Sequence, residues 1–315
     1  MTNLFIIGNG FDLAHGMKTK YSDFRDFLIN TYLNGKYDAN SFYPVPEKIL
    51  MPDGDEVYKD EDVVKCILKL IDCTEGYEWN DIEASLGYLQ YHDFLDDYDL
   101  WDSDDDNYMR DTFYKNQDLS SELHGAVKQI NTYFHEWLTT IDIATKTQSD
   151  FMKLINPIND LFLNFNYTST LQTLYNAQNV CHIHGQTNQT IYFGHGEQEC
   201  PRDEFEKAWF GAESSLERLH FDLMKNTKEA YENHKDFFLK LNLEANNSNF
   251  KIYSYGFSFS NVDTYYLKKI CKIIDTEHVY FYMNDYDDSN KRNQFAKTLI
   301  SCGFKGKISS FHIEK

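Results

Sequence analysis

Near the amino terminus an unbroken apolar run, Leu4-Phe5-Ile6-Ile7, passes directly into Gly8-Asn9-Gly10-Phe11-Asp12. Four apolar residues with no polar alternation read as a short strand covered on both faces, which sits inside a parallel sheet rather than at its edge. Glycine at positions 8 and 10 lets the chain turn sharply and lets its N–H groups approach a ligand, the geometry in which phosphates are cradled. The stricter dinucleotide fingerprint asks for a third glycine at position 13 and an acidic residue about twenty further on. Position 13 is leucine, and the next helix is expected only after His15-Gly16. The alternative is a plain strand-to-loop turn closed by Asp12.

The later half of the chain repeats the strand-then-polar-loop pattern. Leu161-Phe162-Leu163-Asn164-Phe165 delivers Asn166-Tyr167-Thr168, and Val180 to Ile183 delivers His184-Gly185, with His182 and His184 at alternate positions. Phe250 to Tyr255 runs into Gly256-Phe257-Ser258-Phe259-Ser260-Asn261-Val262-Asp263, and two further strands are expected at His278 to Met283 and Lys307 to His312. Helical spacing separates them. The predicted fold class is α/β, a mostly parallel Rossmann-like sheet with helices on both faces. In such a sheet the loops that follow the strands gather at one edge, where ligands bind.

Between the first strand and the second lies a long helical stretch. Phe24, Phe27, Leu28 and Tyr32 mark a helix opening at Tyr21, and Val63, Cys66, Ile67, Leu70 and Ile71 recur at helical spacing. No strand is expected from about Glu56 to Ala144. The chain therefore reads as a single α/β domain over 1–315 carrying an all-helical insertion over 40–150, which is expected to pack over the ligand-binding edge. The aspartate-dense segment from Asp93 to Asp106 fails as an EF-hand loop starting at Asp102, because Asn107 and Phe113 stand where Gly and Glu are required. It reads as a solvated acidic loop. Within Trp79-Asn80-Asp81-Ile82-Glu83, Glu83 is a carboxylate that can support a site from behind, or simply a charge favoured at a helix start.

Thirty basic residues against fifty acidic ones give a net charge of -20, which disfavours nucleic acid as the main partner and anionic membranes as a surface. The six cysteines form no C-x-x-C pair, which argues against a structural zinc site and fits a reducing compartment. With no basic-flanked leader and no apolar stretch long enough for a bilayer, a soluble cytoplasmic protein is expected.

The motifs GNGFDLAHG (8–16), WNDIE (79–83), FNYTSTL (165–171), HIHG (182–185), FGHG (193–196) and YGFSFSNVD (255–263) together resemble the AbiH family of bacterial abortive-infection proteins, which defend against phage. More distantly, their order resembles the sirtuin-type fold and its NAD-hydrolysing relatives. That resemblance implies a nucleotide ligand, NAD or a related molecule, and N-glycosidic cleavage as a reaction. It matches Gly8, Gly10 and Phe11 to the nucleotide loop, Asn166 to the asparagine near the nicotinamide ribose, His184 to the catalytic histidine and Ser258 to a later phosphate or ribose contact. Asn9, His15, Tyr167, Gly185, Gly256, Ser260 and Asp263 complete the expected ligand-facing set. Thr168 stands where the relatives commonly have Asp, and Asp12 near the place where they have Ser. The paired cysteines of the deacetylases are missing, so deacetylation is unsupported.

The chemistry itself follows from an oxocarbenium-like transition state, which asks for a held ribose, a steered water and a nearby carboxylate. Asn166 can orient water, His184 can take a proton near neutral pH, and Asp12 can face the cation. His184, at a strand end beside a glycine, is expected to face a polar cleft, so that its truncation costs little stability. No metal is required by this reading. Two alternatives stay open: a metal-dependent nuclease or hydrolase built on His182, His184 and His195, and a non-catalytic nucleotide sensor whose helical part recognises a phage component. A second copy of the chain is a further candidate partner.

Overall fold

Leu4–Ile7 does form a strand, β1, and all four side chains are buried. The computed structural model describes residues 2–74, 81–96, 107–246 and 250–314. Among the described residues seven more strands follow: β2 (Lys48–Leu50), β3 (Glu56–Tyr58), β4 (Leu161–Asn164), β5 (Asn179–His182), β6 (Lys251–Tyr255), β7 (Tyr280–Asn284) and β8 (Lys307–Phe311). Six of these eight strands, β1 included, make one parallel sheet in the order β5-β4-β1-β6-β7-β8. The Rossmann-like α/β expectation is met, with β1 in mid-sheet between β4 and β6.

The chain forms two compact units. The first comprises Met1–Lys20, Leu138–Tyr192 and Asn226–Lys315 and holds this sheet. On one face Leu4, Ile6, Leu163 and Ile252 pack with Tyr266, Leu267 and Ile270 from the helix Thr264–Ile273. On the other, Phe5, Phe162 and Tyr253 pack with Phe11, Phe151 and Tyr175. Aromatic rings form a row across four neighbouring strands: Phe162 on Phe5 at 5.4 Å, Phe5 on Tyr253 at 4.9 Å and Tyr253 on Tyr282 at 5.0 Å. Parallel register puts these residues opposite one another. Each such pair adds about 1 kcal/mol beyond its buried area.

A helix, Asn9–Ala14, starts immediately after β1. It was expected only beyond Gly16, and the difference has a local cause: Gly8 is extended, the Phe11 amide returns to the Gly8 carbonyl at 2.9 Å, and the Phe11 ring anchors the turn in the core. The helix ends at Gly16, whose φ of +77° suits glycine.

The second unit comprises Tyr21–Trp137 and Phe193–Lys225. Its helices include Tyr21–Tyr32 and Asp60–Asp72, where Val63, Cys66, Ile67, Leu70 and Ile71 are all buried as their spacing predicts. The long run beyond Leu119 is two helices, Tyr108–Val127 and Ile130–Thr139. The expectation that no strand occurs from about Glu56 to Ala144 is corrected by β3, which pairs with β2 in an antiparallel hairpin closed at Gly54, φ +95°. Three-residue strands are too short to leave a period in the sequence. Residues 97–106 of the expected acidic loop, and Trp79 with Asn80, lie outside the described residues. All six cysteines are free thiols. Among the described residues no helix is long and apolar enough to cross a membrane.

Candidate functional site

Because β5, β4, β1 and β6 are neighbours and parallel, the four loops that follow them come together at one edge of the first unit. Asn164, the last residue of β4, begins the arrangement. Its Oδ1 accepts the Asn166 amide at 3.1 Å, and Asn166 Nδ2 donates across to the Gly8 carbonyl at 3.1 Å. The Asn166 carbonyl in turn lies 3.0 Å from His182 Nδ1. A carbonyl only accepts, so Nδ1 carries the proton, and Nε2 accepts from the amides of Gln172 and Gln186, each at 2.7 Å. Burial pushes this imidazole down to about 4, so it stays neutral.

Asp12 is buried beside this network. Thr168 Oγ1 donates to its Oδ2 at 2.5 Å, while among the described residues no group makes a close hydrogen bond to Oδ1. Desolvation pushes the Asp12 carboxyl up to about 6, against the opposing pull of hydrogen bonds from Thr168, Thr170 and Asn166. Thr170 bridges onward, 3.1 Å from Thr168 Oγ1 and 3.4 Å from Met17 Sδ.

His184 stands at the turn after β5, and its Nε2 lies 3.1 Å from Asp263 Oδ1, off the line of an ideal hydrogen bond. The ring is only 3 % exposed, in contact with Phe165 at 5.2 Å and with Tyr167 and Tyr266 at 6.0 Å between centroids. The expected open polar cleft around it is therefore corrected to an aromatic enclosure. Gly185, at φ +84°, follows because a Cβ there would strike the Thr190 carbonyl. Ser260 Oγ donates to the second oxygen of Asp263 at 2.9 Å. Ser258 is exposed, Tyr167 OH donates to the Tyr192 carbonyl at 3.2 Å, and Asn9 Nδ2 donates to the Thr19 carbonyl at 2.6 Å.

Two expectations change here. Gly8 and Gly10 do not present an open cradle, because Gly256 fills the space in front of them and their N–H groups donate to the Tyr255 and Gly256 carbonyls, each at 3.0 Å. His15 does not face a ligand with a free nitrogen either. Its Nδ1 sits 2.7 Å from the Phe11 carbonyl and its Nε2 2.6 Å from Tyr175 OH, with the ring against Phe11.

The rival metal trio is not assembled: among the described residues no three His, Cys, Asp or Glu side chains form a group that could hold a metal. His195 belongs to the second unit, where Nδ1 accepts the Glu197 amide at 3.2 Å and Nε2 donates to the His220 carbonyl at 2.9 Å. In the same unit Glu83 Oε1 lies 2.6 Å from Lys225 Nζ, whose side chain is fully buried. Glu83 is thus one half of an internal ion pair. Sequence reasoning missed Asn164, Gln172, Gln186, Thr170 and Lys225. Only Asn164 leaves a visible signal, a polar residue inside the apolar run Leu-Phe-Leu-Asn-Phe.

A family model described as Bacteriophage abortive infection AbiH matches residues 4–285, from β1 through the loop after β7. The chain belongs to the AbiH family. Membership supports a role in the abortive infection response to bacteriophage. No curated protein and no solved structure matches this AbiH chain. The match takes in residues of both units, so the histidine and asparagine loops of the first and the Glu83 and His195 segments of the second all lie within the matched residues.

Proposed function

We propose that this AbiH protein acts in abortive infection through a nucleotide-directed site at the sheet edge of its first unit, cleaving the N-glycosidic bond of NAD or a related nucleotide. The observation that carries the reading is the His184 imidazole held 3.1 Å from the Asp263 carboxylate, at the edge where the Asn166 loop also ends. An imidazole beside a carboxylate is a proton acceptor for a ribose hydroxyl or for the attacking water. Asn166, its backbone fixed by Asn164 and His182, orients that water or the ribose. Asp12, ionised above a pH of about 6, supplies negative charge against the developing cation. With Gly8 and Gly10 closed off by Gly256, the nucleotide contacts in this reading come from Asn9, Tyr167, Ser258 and Ser260. The likeness to sirtuin-type NAD hydrolases is part of this proposal.

A second reading, a nucleotide sensor without turnover, is favoured by one observation: Asp12 is 1 % exposed and its Oδ2 already takes the Thr168 hydroxyl. One experiment separates the two. A thermal-shift panel of NAD, ADP-ribose and other nucleotides, followed by mass spectrometry of each mixture, reads binding and chemistry together. Stabilisation with release of nicotinamide or another free base supports the enzyme. Stabilisation without product supports the sensor, and no shift with any nucleotide removes both.

A further inference from the structure

Ser260, Asp263 and His184 form a line that joins the loop after β6 to the loop after β5. Ser260 Oγ donates to Asp263 Oδ2 at 2.9 Å, and Asp263 Oδ1 lies 3.1 Å from His184 Nε2. We infer that Ser260 and Asp263 are positioning residues that hold His184 as its Nε2–H tautomer, which makes Nδ1 the nitrogen that accepts a proton. The assignment deepens the reading of His184 as a base and rests on it for the meaning of Nδ1, although the tautomer itself is readable without any substrate.

The physical argument begins with the carboxylate. It has no proton to give, so the ring nitrogen that faces it is the one that carries hydrogen. A carboxylate held through one oxygen alone can rotate about its last bond. The Ser260 hydroxyl on Oδ2 removes that freedom and leaves Oδ1 turned to the imidazole. The rings that enclose His184, those of Phe165, Tyr167 and Tyr266, restrict its other rotation. Besides Asp263, the titratable side chains whose rings meet the imidazole are Tyr167 and Tyr266.

The backbone that delivers Ser260 is itself unusual. Phe259 has φ +56°, a left-handed conformation rarely taken by a bulky side chain. It persists because the Phe259 ring stacks on Phe295 at 4.7 Å and meets Phe257 at 4.8 Å, so both phenylalanines of the loop are buried while Ser258 is exposed. Beyond this turn the Asp263 and Thr264 amides both donate to the Ser260 carbonyl at 3.1 Å, which fixes Ser260 over the start of the helix Thr264–Ile273. Such outliers gather where a side chain must be aimed.

The test uses the full chain labelled with 15N-histidine and long-range proton–nitrogen spectra of the imidazoles. His184→Gln identifies the His184 signals among the eleven histidines. In the unsubstituted protein the His184 proton is expected on Nε2. Ser260→Ala should give a mixture of tautomers, Ser260→Thr should restore the single form, and Asp263→Asn should abolish the Nε2–H preference. A His184 proton found on Nδ1 in the unsubstituted protein, or a tautomer balance that neither Ser260→Ala nor Asp263→Asn moves, overturns the inference. Should a nucleotide be turned over, Asp263→Asn should lower kcat with KM nearly unchanged, by up to the roughly ten-thousand-fold seen when a buried carboxylate that fixes an imidazole tautomer becomes an amide. The stated tautomers with no turnover of any nucleotide support the positioning role and remove only the glycosidic reading.

Discussion

Gly8 and Gly256 are in backbone contact, so close that a Cβ on Gly8 would stand 2.5 Å from the Gly256 carbonyl oxygen. Gly10 shares the contact, its absent Cβ falling 2.6 Å from Gly256 Cα. The three glycines join the loop after β1 to the loop after β6. Gly256 also has φ +65°, which a side chain resists. Gly256→Ala should therefore destabilise the protein by about 2–4 kcal/mol, from left-handed strain and overpacking together. A melting temperature within a degree of the unsubstituted protein would show that the loops can part without cost.

Asp12 gives the stability a pH dependence. Its carboxyl is raised from 3.8 to about 6, so the folded protein binds the proton more tightly than the unfolded chain does. The stabilisation is complete below pH about 4 and is lost as pH rises through about 6, amounting to roughly 3 kcal/mol over that window. Asp12→Asn keeps an acceptor for the Thr168 hydroxyl without the charge. Urea unfolding from pH 4 to 8 should show a flatter curve for Asp12→Asn and higher stability at pH 8. Lower stability at every pH would mean that the ionised carboxylate is itself required.

Removing the His184 ring is not a mild change. The side chain is enclosed by Phe165, Tyr167 and Tyr266 and is the 3.1 Å neighbour of Asp263. His184→Ala should cost about 2–4 kcal/mol through the cavity and the lost polar contact. His184→Gln, closer in volume, should cost less, and is the better variant for activity measurements. Equal guanidinium midpoints for His184→Ala and the unsubstituted protein would place the ring at an accessible surface after all.

The second unit has its own sensitive pair. Lys225 is fully buried against Glu83 at 2.6 Å, and breaking such a pair from one side typically costs about 3–5 kcal/mol. Glu83→Gln and Lys225→Met should each lower the melting temperature markedly. The double variant Glu83→Leu, Lys225→Met should recover most of the loss, because no charge is then left inside. A double variant as unstable as the two single ones added together would show that the charges do more than neutralise each other.

The sheet was legible because its strands are apolar runs ended by polar loops, and β1, β4, β5 and β6 lie within a residue or so of where the sequence puts them. Their loops had to converge once the strands were parallel. What the sequence could not show is what stands opposite each residue. The need for glycine at 8 and 10 reads the same whether a phosphate or Gly256 takes the place of the side chain. His184 beside Gly185 reads as an edge residue, and it is Phe165 and Tyr167, just past β4, and Tyr266, on the helix Thr264–Ile273, that enclose it. Lys225 carries no local sign that Glu83 will meet it. The helix Asn9–Ala14 escaped because six residues containing a glycine display less than two turns of periodicity.

The position of β1 has a consequence for synthesis. Leu4 pairs with Leu161 on one side and with Ile252 on the other. On the ribosome the first strand emerges long before either neighbour exists, and a chain that stops short of Lys251 leaves one long edge of β1 with nothing to bond. Such distant pairings close slowly and late. The edge that gathers Asn166, His184 and Asp263 is complete only once the chain has been made through Asp263, so a copy that stops before it carries no assembled site.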